Sequence, residues 1–264
     1  MVNTTIEPTA VAAYLAEVGQ LIPRTERAWI RVIDAAHQHY LDAGQLQAAA
    51  SLATDAHAVI RQRAIDEPGN DLWQRDLSVS HNKFGDLAAA AGDWKAAGAE
   101  YATALALAQR LADAHPDNAE WQRDLSICHE RHGDLAIAEN RRAAAAEAYA
   151  TALAIAVRLS LADPTNMQWQ RDLSISYERQ GDLALGGGDP TAAGDAYATA
   201  LAIAQRLADD NPADTRWRDE ARHARGRIRL AMMSYPTGSV ISQRPAFCRL
   251  IRSGGPHSAP HHGG

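Results

Sequence analysis

Apolar residues recur along much of the chain at intervals of three, four and seven, the spacing that places side chains on one face of an α-helix. Between residues 73 and 91 five residues form such a stripe: Trp73, Leu77, Phe84, Leu87 and Ala91. Gly92 and Asp93 then interrupt it, and aspartate is a residue type that caps a following helix. No segment alternates strictly between apolar and polar residues as a half-buried strand does. The pattern predicts an all-α protein.

A second helix is predicted over roughly residues 94–114, with five residues on its apolar face: Ala97, Tyr101, Ala104, Leu105 and Ala108. It should end near Pro116, because the residue before a proline is disfavoured in the α conformation. A pair of helices of this kind does not bury its apolar stripe alone. Stacked neighbours bury it for one another, which predicts an α-solenoid.

The same pattern returns every 48 residues, which is the sign of a repeat protein. Four tryptophans keep this spacing, and so do four prolines: Trp73, Trp121, Trp169, Trp217, Pro68, Pro116, Pro164 and Pro212. The segments 148–156 and 196–204 are identical. Three copies are therefore predicted at 73–120, 121–168 and 169–216, and a degenerate fourth copy precedes them at 25–72.

Small and aromatic residues within each copy fall in a fixed register. If Gly85 is position 8 of a 34-residue unit, then Gly92, Ala97, Tyr101 and Ala104 occupy positions 15, 20, 24 and 27. The next two copies supply matching residues: Gly133, Ala145, Tyr149, Ala152, Gly181, Gly188, Ala193, Tyr197 and Ala200. Asn140 stands where the other copies have the turn glycine.

This register resembles the tetratricopeptide repeat, in a variant whose two helices are each about two turns longer, similar in kind to the extended repeats of kinesin light chains. The resemblance covers residues 25–216. It implies a right-handed α-solenoid of stacked antiparallel helix pairs.

The two ends of the chain depart from the repeat. Residues 1–24 are predicted to form an N-terminal covering helix, and 217–235 a lone helix that caps the last repeat. Residues 236–264 are rich in Pro, Gly, Ser and His and are predicted to be a disordered tail. The arginines of the capping segment offer an alternative, contact with nucleic acid, which salt-sensitive retention of this segment on DNA or RNA would favour.

Charge is distributed unevenly. The formal charge is −6, of which 216–230 contributes +4 and 236–264 contributes +3, so the remainder carries −6 − 7 = −13. An acidic body of this kind is not expected to bind nucleic acid. Two cysteines, no secretory signal pattern and no uninterrupted run of about 18–20 apolar residues favour a soluble cytoplasmic protein without a membrane partner.

One cluster of chemically active side chains needs explanation: Cys128, His129 and His132 in the stretch 121–135. The equivalent residues of the sister copies form no metal-ligand set, and the neighbourhood supplies no third ligand of suitable spacing. Glycines 186–188 are not followed by the Lys and Ser/Thr of a phosphate-binding loop. We therefore expect a non-catalytic protein without metal or cofactor.

The resemblance implies that the first helix of each repeat lines a concave face on which a partner segment lies. The groove positions of the family correspond here to Val79, Ile127, Ile175, Asn82, Glu130, Glu178, Asp86, Asp134, Asp182, Ala89, Ile137 and Leu185. The column of acids suggests a protein or peptide partner with a basic or neutral segment.

An alternative use of the three aspartates is to pair with Arg131, Arg179 and neighbouring arginines, which would hold adjacent repeats in register. A double substitution, Asp134→Lys with Asp182→Lys, distinguishes the two. Unchanged affinity for the native partner would remove the groove hypothesis.

The most favoured function is a protein–protein interaction scaffold or adaptor. The alternative is a regulatory or substrate-recruiting subunit of a separately encoded enzyme. Affinity capture followed by mass spectrometry separates them, because a catalytic protein among the captured partners would favour the second.

Overall fold

The computed structural model describes residues 15, 17, 22, 26–42 and 44–234, and these form nine α-helices and no β-strand. The prediction of an all-α protein is confirmed. The helices are α1 (Arg27–Asp42), α2 (Leu46–Asp66), α3 (Asp71–Ala90), α4 (Trp94–Ala114), α5 (Ala119–Ala138), α6 (Arg142–Ala162), α7 (Met167–Gly186), α8 (Pro190–Asp210) and α9 (Thr215–Met233).

The helices themselves recur with the period of the sequence. The starts of α3, α5 and α7, at Asp71, Ala119 and Met167, lie 48 residues apart. The helix predicted over 94–114 has these bounds. The preceding helix, α3, begins at Asp71, two residues before the apolar stripe, because the side chain of Asn70 accepts a hydrogen bond from the backbone N–H of Leu72 and caps the helix there.

Helix starts are fixed by side chains placed at the same point of successive copies. Asn118 caps α5 by accepting from the N–H of Trp121 at 3.2 Å, and Asn166 caps α7 in the same manner. Asp214 caps α9, which therefore runs over Thr215–Met233 rather than from Trp217. A fixed cap position keeps every first helix in the same register relative to its Trp.

The turn inside each helix pair uses the left-handed backbone conformation. Gly44, Gly92 and Gly188 have φ angles of 70°, 79° and 82°, and Asn140 has a φ of 58°. Asn140 is the one non-glycine residue with positive φ in the part of the chain that the structure describes. Asparagine is among the few residues that adopt this conformation at modest cost, which explains why it replaces glycine here.

The chain divides into two compact units, Met1–Glu139 with α1–α5 and Asn140–Gly264 with α6–α9. In the first unit each helix packs against the next, and a core of buried residues joins α1, α2 and the start of α3: Trp29, Ile30, Ile33, Tyr40, Ile60 and Trp73. Leu15 and Ile22 add to this core. Residues 1–24, predicted to cover it, lie otherwise outside the described residues.

In the second unit α6 packs on α7, α7 on α8 and α8 on α9. Tyr197 of α8 and Ile228 of α9 are fully buried in the core of this unit, together with small residues such as Ala193, Ala204 and Ala224. The predicted disordered tail, 236–264, lies outside the described residues.

Among the described helices, α6 is long and apolar enough by composition to cross a membrane. The sequence prediction overlooked it, because Arg142, Glu147 and Arg158 interrupt the apolar run. Core helices of soluble proteins have the same composition, and Tyr149, Ile155 and Leu159 of α6 are buried.

Candidate functional site

The motif Trp-Gln-Arg-Asp-Leu-Ser opens α3 and recurs in α5 and α7. Its glutamine is buried and donates to a carbonyl at the end of the preceding helix. Gln74 Nε2 lies 3.0 Å from Ala64 O, and Gln122 Nε2 lies 3.0 Å from Ala112 O. The serine donates to the helix that follows, since Ser78 Oγ lies 2.8 Å from Ala104 O. These three side chains therefore join consecutive helices.

The charged residues of the motif connect first helices of successive pairs. Arg27 of α1 binds Asp76 of α3, with Nε 2.6 Å from Oδ2. Arg75 of α3 binds Asp124 of α5 in the same way. The hydrogen bond to Asp124 raises the pKa of Arg75, whereas burial raises the pKa of Asp124 against the influence of that arginine. The Arg-Asp pair is thus a structural connection between neighbouring pairs.

In the second unit the same series continues between α7 and α9. Arg171 Nε lies 2.7 Å from Glu220 Oε1, 49 residues further along the chain, as in the two pairs of the first unit.

A second series of ion pairs uses the predicted groove acids. Arg131 Nε lies 2.7 Å from Asp86 Oδ1, which also accepts from Tyr101 Oη at 2.8 Å. Burial and the nearby Asp86 carboxylate raise the pKa of the Tyr101 phenol, which therefore stays a hydrogen-bond donor. In the second unit Asp182 has the equivalent partners Arg227, at 2.8 Å, and Tyr197, at 2.6 Å.

These contacts favour the structural alternative for Asp86 and Asp182 over direct ligand binding. A carboxylate that already accepts from an arginine and a tyrosine has less capacity left for a cationic ligand.

In two helix pairs, α3–α4 and α7–α8, the tyrosine of the second helix lies on a glycine of the first. A Cβ built at Gly85 would overlap the ring of Tyr101, and one built at Gly181 would overlap that of Tyr197. Gly85 and Gly181 are therefore required by a close approach of the first helix to the tyrosine of the second.

In the first unit the first helices enclose a cleft of about 360 Å³. Residues from α1, α3 and α5 line it: His37, Arg75, Val79, Asn82, Lys83, Asp86, Leu87, Ala90, Arg123, Asp124, Ile127 and Arg131. Of the predicted groove residues, Val79, Asn82, Asp86 and Ile127 lie here. The sequence analysis missed four lining residues: His37, Arg75, Arg123 and Asp124. The Arg-Asp pair is identical in three copies, and this identity could have indicated the last three of them.

The cleft combines an apolar floor with charges that are largely paired. Val79, Leu87 and Ile127 provide its apolar surface. Among the described lining residues four are lysine or arginine and two are aspartate, so the lining is not acidic. Lys83 binds Asp34 of α1, and Arg131 binds Asp86.

Asn82 has one buried polar atom without a partner. Its Nδ2 donates to Cys128 Sγ at 3.2 Å, while its Oδ1 is buried and accepts no hydrogen bond. An unsatisfied buried amide oxygen costs free energy.

The other predicted residues of α5 do not share one environment. Glu130 is 7% exposed, so its carboxylate is not offered to a ligand as predicted. Asp134 is half-buried, and Ile137 is exposed outside the cleft lining.

In the second unit, Ile175 is half-buried and Leu185 packs against the core of α8 and α9. Leu185 is therefore partly used in packing. Burial raises the pKa of Glu178, and His223 of α9, whose Nε2 lies 4.0 Å from Glu178 Oε2, acts in the opposite direction.

The sulfur and imidazole cluster of α5 is part of the helix packing. Cys128 is fully buried, and burial raises the pKa of its thiol to about 11. His132 Nδ1 lies 3.1 Å from the carbonyl oxygen of Cys128. Within the described residues, no three His, Cys, Asp or Glu side chains are grouped to hold a metal ion.

A polar cluster that the sequence analysis did not identify joins α2, α3 and α4. The rings of His57 and His81 are 5.1 Å apart, and His81 Nδ1 lies 2.6 Å from Glu100 Oε2. His57 Nδ1 lies 2.9 Å from Ser80 Oγ, and Phe84 contacts the His57 ring. Burial, together with the nearby His81, lowers the pKa of His57. The internal repeat could have identified His57 as exceptional, because the three later copies have leucine at its position: Leu105, Leu153 and Leu201.

No family model matches the chain, and no curated protein matches it. Among solved structures 41 chains match. One is the crystal structure of BtubC (BKLC) from P. vanneervenii, with 16% sequence identity and a TM-score of 0.53 over 97% of this chain and 93% of that chain. The chain shares an all-helical fold with it.

Proposed function

We propose that this chain is a non-catalytic protein-interaction scaffold. Its helix pairs form a right-handed α-solenoid of tetratricopeptide-like repeats, and the cleft between α1, α3 and α5 receives a segment of a partner protein. The observation that carries the proposal is the cleft itself, with a volume of about 360 Å³ and a lining drawn from three successive first helices.

The solenoid is supported by the recurrence of helix starts and inter-pair contacts. The Arg75–Asp124 kind of ion pair joins α1 to α3, α3 to α5 and α7 to α9, and the Asp86–Arg131 kind joins α3 to α5 and α7 to α9. Contacts that repeat with the sequence stack neighbouring helix pairs in one direction, which is the basis of a solenoid.

The chemistry of the cleft favours a neutral partner segment with apolar side chains. Val79, Leu87 and Ile127 supply the apolar contact. Because Asp86 is bound by Arg131 and Tyr101, the acids no longer provide the reason to expect a basic segment.

A non-catalytic role is supported by the use to which the reactive side chains are put. The Arg-Asp motif and Cys128 all make contacts between helices. The cytoplasm is the proposed compartment, in line with the buried free thiol of Cys128.

Two substitutions of one residue type test the proposal. Ile127→Arg places a charge in the cleft, whereas Ile65→Arg changes an isoleucine of α2 that is 57% exposed and does not line the cleft. The partners of each full-length variant are captured from cell extract and identified by mass spectrometry, after circular dichroism has shown unchanged helix content. We expect Ile127→Arg to lose partners that Ile65→Arg retains. Retention of the same partners by both variants would contradict the proposal.

A further inference from the structure

Helix α9 has the features of a first helix. Trp217, Ala221 and Ile228 are buried, and Asp214 caps the helix at the position where Asn118 and Asn166 cap α5 and α7. Its Glu220 and Arg227 bind Arg171 and Asp182 of α7, so α9 stacks on α7 through both series of ion pairs.

In a complete pair, one flank of the first helix is covered by the second helix. In α7 this flank contains Gln170, which Arg206 of α8 binds, and Ser174, whose Oγ donates to Ala200 O at 3.1 Å. It also contains Gly181, which lies against the ring of Tyr197. All three flank residues are buried.

The equivalent flank of α9 carries arginines. The residues 48 positions after Gln170, Ser174, Tyr177 and Gly181 are Arg218, Arg222, Arg225 and Arg229. All four are exposed. Since they are spaced by four, three and four residues, they form one stripe along the helix.

The stripe is only partly neutralised within the described chain. Arg222 Nη1 lies 2.7 Å from Asp219 Oδ1, and Arg225 donates to the neutral amide of Gln205. Residues 235–264 contain no Asp or Glu. A helix of the repeat type would not fit closely here, because Arg229 replaces the glycine on which a tyrosine lies in complete pairs.

We infer that this arginine stripe of α9 is a docking surface for an acidic, Asp/Glu-rich segment of another protein. Guanidinium groups bind carboxylates in bidentate geometry, and four of them in one row match an extended run of carboxylates. A nucleic acid is the less favoured ligand, because the indole of α9, Trp217, is buried and offers no surface on which a base could stack.

The test uses the full-length chain and fluorescence anisotropy with two labelled probes, a twelve-residue glutamate peptide and a single-stranded DNA of equal charge. The stripe variant combines Arg218→Gln with Arg229→Gln. The matched control combines Arg31→Gln with Arg61→Gln, two exposed arginines of α1 and α2, and changes the net charge equally.

We expect the stripe variant to bind the glutamate peptide roughly tenfold more weakly at low salt than the unmodified chain, and the control to bind as the unmodified chain does. The inference is overturned if the peptide does not bind, if the control weakens as much as the stripe variant, or if the DNA binds at least as tightly as the peptide. Ile127→Arg in the cleft should leave the affinity for the glutamate peptide unchanged. The docking surface on α9 and the proposed scaffold function of the cleft can therefore fail independently.

Discussion

The guanidinium of Arg131 lies on the carboxylate of Asp86, with Nε 2.7 Å from Oδ1, although the two residues are 45 positions apart in the chain. The same carboxylate accepts the hydroxyl of Tyr101. Three helices, α3, α4 and α5, therefore meet at one aspartate, and Asp182 occupies the equivalent place in the second unit.

Replacing Asp182 by asparagine, its uncharged isostere, should destabilise the protein. Asp182→Asn weakens the bonds to Arg227 and Tyr197, and we expect the free energy of unfolding to fall by about 1–2 kcal/mol, a value limited by the partial exposure of the pair. Urea denaturation followed by circular dichroism measures it. The control is Asp195→Asn on the exposed surface of α8, which should change stability little. Equal effects of the two substitutions would show that the Asp182 contacts do not stabilise the fold.

Two glycine-to-alanine substitutions are expected to change the free energy of unfolding in opposite directions. Gly85→Ala places a methyl group inside the ring of Tyr101 and should lower the free energy of unfolding by about 1–3 kcal/mol. At Gly226 of α9 an added Cβ meets no atom within 4 Å, so Gly226→Ala should raise it by about 0.5–1 kcal/mol. Thermal unfolding of both variants checks this. A neutral or stabilising Gly85→Ala would contradict the close approach of α3 and Tyr101.

The middle copy lacks a helix cap that its neighbour has. Asp189 accepts from the N–H groups of Thr191 and Ala192 at the start of α8, whereas Arg141, the equivalent residue, makes no capping hydrogen bond to α6. Asp189→Ala should cost about 1 kcal/mol of unfolding free energy, and Arg141→Asp should add about 0.5–1 kcal/mol. The prediction fails if Arg141→Asp destabilises the protein while Asp189→Ala leaves its stability unchanged.

The histidine cluster should make stability depend on pH. Because the pKa of His57 is lowered in the folded protein, the unfolded chain binds more protons once the pH falls below the ordinary value of 6.5, and stability is lost on further acidification. His81, Glu100 and Arg61 are the charged groups that act on this imidazole.

His57→Leu tests this dependence by installing the residue of the later copies. Between about pH 7.5 and about pH 5.5 the unmodified chain should lose more unfolding free energy than the variant does. Equal losses would show that His57 does not contribute to the pH dependence. The pKa of His129 is also lowered, but His129 is present in both proteins and so does not affect the difference between them.

Much of the fold could be predicted from the sequence, because its determinants are local and repeated. The apolar stripe, Gly92 and the proline at 116 place the limits of α4, and the Asn140 substitution is compatible with the left-handed turn. The apolar stripe does not reveal the start of α3 at Asp71, because the capping side chain of Asn70 sets that start.

The candidate site was predicted less completely. Spacing placed Asn82, Asp86 and Ile127 on one face, but the partners of Asp86 come from two other helices and are decided by stacking. Glu130 is buried, and this burial is likewise decided by the stacking of the helices. A single helix pattern carries no information on which of its polar residues a neighbouring helix will cover.

Removal of one whole period tests the repeat architecture most directly. Deleting residues 119–166 joins Asn118 to Met167, so that the capping asparagine again precedes a first helix and the contacts between successive helix pairs regain equivalent partners. Thermal unfolding followed by circular dichroism should show a cooperative transition and unchanged helicity per residue, whereas deletion of the half period 119–142 should abolish the transition. Loss of the cooperative transition in both proteins, or its survival in both, would contradict the account.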